Sequence, residues 1–76
     1  MVQLPFPYVV ERMTDYLLNH KTRQELIALT LSLLTPYQRE KFNIEDESNE
    51  TLANLIVDLM GQEELYEWYY TYLSNG

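Results

Sequence analysis

Ser48–Gly61, SNETLANLIVDLMG, is the stretch whose reading decides the fold. Leu52, Leu55, Ile56, Leu59 and Met60 fall at i, i+3, i+4, i+7 and i+8, the spacing of one continuous face on an α-helix. Ser48 or Asn49 can cap its first turn, because a short polar side chain accepts from an amide that would otherwise lack a partner. Gly61 closes it, where the backbone must turn left-handed and a side chain would clash. A helix so cleanly started, striped and stopped needs other helices to cover its stripe.

Working outward, the rest of the chain supplies them. The last segment places Leu65, Trp68, Tyr69, Tyr72 and Leu73 on an inward face, leaving Tyr66 and Tyr70 on a flank. Upstream, Asn43 to Glu47 is an acidic connector anchored only by Ile44. Before it, Thr35-Pro36-Tyr37-Gln38 has a hydroxyl at N-cap, proline at N1 and an amide at N3, and opens a short helix ending near Phe42. Thr22-Arg23-Gln24-Glu25 has the same capping-box form and opens a Leu-rich helix. In it Leu26, Ile27, Leu29, Leu31, Leu33 and Leu34 cover nearly the whole circumference, which predicts the central, most buried helix. The first helix starts at Pro5 and Pro7, carries Phe6, Val9, Val10, Met13 and Leu17 as its stripe, and stops at Asn19-His20. The chain is therefore expected to be all-α, a compact antiparallel bundle of five helices forming a single domain over residues 1–76.

Composition narrows the function. The 76 residues are near the lower limit for one unstapled apolar core, and seven Tyr with one Trp raise the area each residue can bury. With no cysteine there is neither a disulfide framework nor a thiolate metal site, which points to a reducing, cytoplasmic setting. A net charge of −7 disfavours nucleic acid and anionic membrane as partners, and no apolar run is long enough to span a bilayer. The sequence offers no catalytic constellation: no cysteine, no GxSxG, no Gly-rich phosphate loop. His20 is the only histidine and follows a helix end, where an imidazole can bond the last carbonyls. Glu45-Asp46-Glu47 lacks the glycine turn and spaced ligands of a calcium loop. Neither an enzyme, a metal nor a cofactor is expected.

The charges are sorted along the chain. Lys21, Arg23, Arg39 and Lys41, with Arg12, all lie before residue 42, whereas Glu45, Asp46, Glu47, Glu50, Asp58, Glu63, Glu64 and Glu67 follow it unaccompanied by any Lys or Arg. Helix dipoles favour the acids that open helices, by about 0.3–1 kcal/mol each, but oppose Asp58 and Glu67, which fall late. The arrangement suits head-to-tail association or capture of a basic partner. Lys21, Arg23, Arg39 and Lys41 form the expected basic patch, and Glu45, Asp46, Glu47, Glu50 and Asp58 the expected acidic one. Tyr66 and Tyr70, four apart beside Glu63 and Glu67, are either an aromatic hot spot or cover for the first helix near Tyr8 or Tyr16.

The order of features from about Lys21 onward resembles the bacterial effector-associated domains, small members of the death-like superfamily. The resemblance is carried by Thr22-Arg23-Gln24-Glu25-Leu26, by Phe42-Asn43-Ile44, by Asn49-Glu50-Thr51-Leu52-Ala53-Asn54-Leu55-Ile56 and by Met60-Gly61-Gln62-Glu63-Glu64-Leu65. It covers roughly three quarters of the chain and rests on caps and apolar spacing. Two features depart from it: the closing helix is unusually aromatic, and a sixth helix is not evident. The resemblance implies an adaptor that binds itself or a related death-like domain, beside a fused or associated effector or ATPase, in a bacterial defence or signalling system. The competing expectation is a small acidic inhibitor, phage-encoded for instance, that mimics DNA and blocks a nucleic-acid-binding protein. The large aromatic content and the basic patch weigh against it.

Overall fold

A computed structural model describes residues 4–73, which fold as five α-helices with no strand among the described residues. They are α1 (Phe6–His20), α2 (Arg23–Leu33), α3 (Pro36–Lys41), α4 (Asn49–Met60) and α5 (Gln62–Trp68). A 3-10 turn, Ile44–Asp46, joins α3 to α4, and α5 runs on into a π-helical turn, Tyr69–Leu73.

The caps form as the sequence dictates. The Thr22 hydroxyl accepts from the Glu25 amide at 3.2 Å while the Thr22 amide donates to the Glu25 carboxylate at 2.9 Å. Thr35 and Gln38 make the same reciprocal pair at the start of α3. Ser48, not Asn49, caps α4 by accepting from the Thr51 amide at 3.1 Å. Gly61 has φ 80°, in the left-handed region, and lets α4 pass into α5 without a linker.

The core is built around α4. Leu52, Ala53, Ile56, Val57 and Met60 are all buried, more than any other helix contributes. α4 packs against α2 on one side and α1 on the other, and α5 with its π turn closes over α1. Val9, Met13 and Leu17 of α1 and Leu65 of α5 are fully buried in the same cluster, and Ile44 pins the connector to it.

Here the structure corrects the expectation that α2 is the central helix. Within α2 only Leu26 and Thr30 are buried, with Leu34 just beyond its end; Ile27, Leu29, Leu31 and Leu33 are half-buried. The reason is geometric. A body of 42 × 23 × 17 Å is elongated, and in so small a domain only one helix can be surrounded. α4 takes that place, and α2 packs broadly only on α4 and the 3-10 turn. Its remaining leucines are left at the surface.

The closing segment also differs from its predicted phase. Tyr72, expected on the inward face, is 53% exposed, whereas Tyr66, expected on a flank, is 7% exposed and covers the first helix. The π turn accommodates more residues per turn than an α-helix, so the register counted at 3.6 residues slips after Trp68. Leu65, Tyr66 and Tyr69 face α1, with Leu73 half-buried behind them.

Candidate protein-interaction surface

Two members of the expected basic patch are engaged by hydrogen bonds within the molecule. Arg23, at the first position of α2, reaches across to the connector: one Nη donates to the Asn49 Oδ1 at 2.9 Å and the other to the Glu45 carbonyl at 2.8 Å. It thereby ties α2 to the start of α4, and it brings a member of the basic set against the acidic set within one molecule. Arg39 turns back from α3 so that its Nε donates to the Leu31 carbonyl at 2.9 Å, serving one of the orphan carbonyls at the end of α2. Lys21 is half-buried at the C-cap of α1. Lys41 remains exposed, its ammonium 4.8 Å from the centre of the Tyr37 ring one turn earlier.

The acidic residues sit as the spacing implied. Glu45 and Asp46 lie on the 3-10 turn, Glu47 follows it, Glu50 is in the first turn of α4, and Asp58 is exposed near the end of that helix. Asp46 accepts from the Asn43 side-chain amide. Glu63, Glu64 and Glu67 are exposed on α5.

The two tyrosines of the expected hot spot occupy different environments. The Tyr66 hydroxyl donates to the Leu4 carbonyl, and its ring stands 6.1 Å from that of Phe6, so it covers α1. Tyr70 is 41% exposed and lies parallel to Tyr66 at 6.3 Å. Nearby, burial first, and then a side-chain hydrogen bond shared with Tyr8 that favours the neutral form, raise the Tyr69 phenol above its ordinary pKa. His20 packs its ring on Tyr16 at 4.8 Å, and Tyr16 in turn stacks on Tyr72 at 6.1 Å.

Two surfaces emerge of which the sequence pattern had singled out only Arg39 and Lys41, both on the first. The first is α3. It has no buried residue and packs on no other helix as broadly as the rest pack on each other. Tyr37 is 65% exposed and Phe42, at its C-cap, 46%. Its sequence, PYQREK, has no apolar pair at i, i+3 or i+4, and that lack of a stripe was the available signal that nothing would anchor it. The second is a crease where α2, α4 and α5 meet. Leu29 and Leu33 form one wall, Ile56 and Met60 its floor, and Trp68 and Glu64 the other wall. The cleft holds ≈ 100 Å³, a few waters' worth, and is open to solvent. It continues toward Lys21 and Glu25 at one end and toward Glu63 and Glu67 at the other.

No group of three or more His, Asp or Glu side chains among the described residues could hold a metal ion. None of their helices is long and apolar enough to cross a membrane. Compared with known proteins, the chain matches no family model, no curated protein and no solved structure.

Proposed function

We propose that the chain is a non-enzymatic protein–protein interaction domain that associates with itself or a related death-like domain, coupling an effector to a partner in a bacterial defence or signalling system. The observation that carries this reading is α3: a helix with no buried residue presenting two exposed aromatic rings beside a cation. Exposed aromatic side chains at a rigid, capped element are the usual anchors of protein interfaces. The rest of the molecule supplies the complement, since the eight acids after residue 42 have no basic side chain among them. Donor and acceptor surfaces differ, so the contact is heterologous and can propagate as a ring or filament. The resemblance of the caps and apolar spacing to effector-associated domains supports the same assignment.

Light scattering from ~50 mM to ~500 mM salt tests it, because exposed charges are screened within about 10 Å at 0.1 M. Assembly should weaken with salt and be lost in Lys41→Glu. An unchanged monomer mass throughout would discard homotypic association.

The acidic decoy remains the second reading, favoured by the exposure of Glu50, Asp58, Glu63, Glu64 and Glu67 along α4 and α5. A decoy should lose affinity for a captured basic partner in steps as Glu63, Glu64 and Glu67 become Gln, and should tolerate Tyr37→Ala. An interaction domain should lose binding on Tyr37→Ala.

A further inference from the structure

We infer that the acceptor for α3 is the crease between α2, α4 and α5, so that the Tyr37–Phe42 tip of one copy seats on Leu29, Leu33 and Trp68 of the next. The inference rests on the self-association proposed above and specifies its two surfaces.

Three observations lead to it. The first is a surplus. α2 is apolar around its circumference but has a broad helical neighbour only in α4, so Leu29 and Leu33 stay half-buried beside Trp68. Apolar surface gathered in a concave line, instead of scattered singly, marks a place where another chain is received. The second is shape. The cleft admits the tip of one side chain, and α3 offers two rings on a projecting helix whose own packing is slight. Tyr37 is held under the Lys41 ammonium one turn away, so the tip is pre-ordered and loses little rotamer freedom on docking. The third is charge. Glu63, Glu64 and Glu67 rim one end of the crease and Glu25 the other, against Lys21 alone, whereas α3 brings Arg39 and Lys41 against Glu40. A ring entering the apolar floor therefore carries Lys41 toward the Glu64 and Glu67 carboxylates. This complementarity selects a second copy as the occupant.

The acidic patch at Glu45 to Asp58 is the weaker acceptor. Arg23 already donates there, to the Glu45 carbonyl and to Asn49, and the connector has only Ile44 buried, inside the core, with no apolar floor for a ring.

The test uses two complementary variants of the whole chain. Tyr37→Ala with Lys41→Glu removes the tip, and Glu64→Lys with Glu67→Lys reverses the rim. All four positions are exposed, and circular dichroism confirms folding before sedimentation velocity is run. Each variant alone should associate more than about tenfold more weakly than wild type, since like charges are brought together. Mixed, they retain one intact tip and one intact crease, and a 1:1 dimer should appear. If the rim variant assembles like wild type while Glu47→Lys with Glu50→Lys does not, the crease is overturned and self-association survives. If the mixture stays monomeric, the pairing of these two surfaces is overturned. A wild type that never associates overturns both this inference and the reading beneath it.

Discussion

Single residues set where each helix begins and what they contribute can be measured. The Thr22–Glu25 box is the clearest case. The bond from the Thr22 amide, with the charge of Lys21 adding to it, holds the Glu25 carboxyl below its usual pKa. A lowered folded pKa means that this contribution is complete above the unfolded value, about 4.3, and is lost as pH falls through the folded one. Melting curves followed by circular dichroism should therefore fall more steeply on acidification in wild type than in Glu25→Gln. Parallel curves would show that the carboxylate contributes nothing. Tyr66 offers a second check. Tyr66→Phe deletes the hydroxyl that donates to Leu4 and should cost about 0.5–1.5 kcal/mol, while Tyr66→Ala should cost about 3–5 kcal/mol as a large buried ring is removed. Tyr70→Ala should cost clearly less. Urea titration at constant slope separates the three. The two capping boxes were legible, because such a cap is a contact between residues three apart, whereas the choice between Ser48 and Asn49 at α4 was left to the structure. Arg23 was not: its partners lie 22 and 26 positions away, and no local pattern announces them.

At the scale of the element, the question is which helix the others surround. α4 holds that place, and its stripe gave part of its buried face: Leu52, Ile56 and Met60 are buried and Leu55 and Leu59 half-buried, while Ala53 and Val57, outside the stripe, are buried too. Leu52→Ala or Ile56→Ala should each cost about 2–5 kcal/mol. Out of the roughly 5–10 kcal/mol available to a domain of this size, either change brings the chain close to unfolding. Leu29→Ala and Leu33→Ala should be far milder, at roughly 1 kcal/mol, since both sites are already partly open to water. Equal losses from both pairs would return α2 to the centre. Periodicity could not make this distinction. A helix apolar on all sides is read as buried on all sides, yet how many neighbours it receives is set by the packing of the whole. The place of Tyr72 escaped for a related reason: the π turn at Tyr69–Leu73 changes the residues per turn, and a count at 3.6 sends Tyr72 inward.

The whole molecule combines an aromatic, cationic tip at α3 with an acidic, partly apolar crease between α2, α4 and α5. The uneven charge was visible in the sequence. The two surfaces were not, because one depends on α3 having nothing to bury and the other on three helices meeting around Trp68. That residue is the only tryptophan, so its indole N–H is a unique reporter inside the proposed acceptor. The most direct measurement is a nitrogen–proton correlation spectrum of the labelled chain, diluted from millimolar to micromolar concentration. Concentration-dependent shifts should appear together at Tyr37–Phe42, at Leu29 and Leu33, and at the Trp68 indole. They should vanish in high salt, where the charges are screened. Spectra that do not change with dilution, or shifts confined to Glu45–Asp58, would contradict the account.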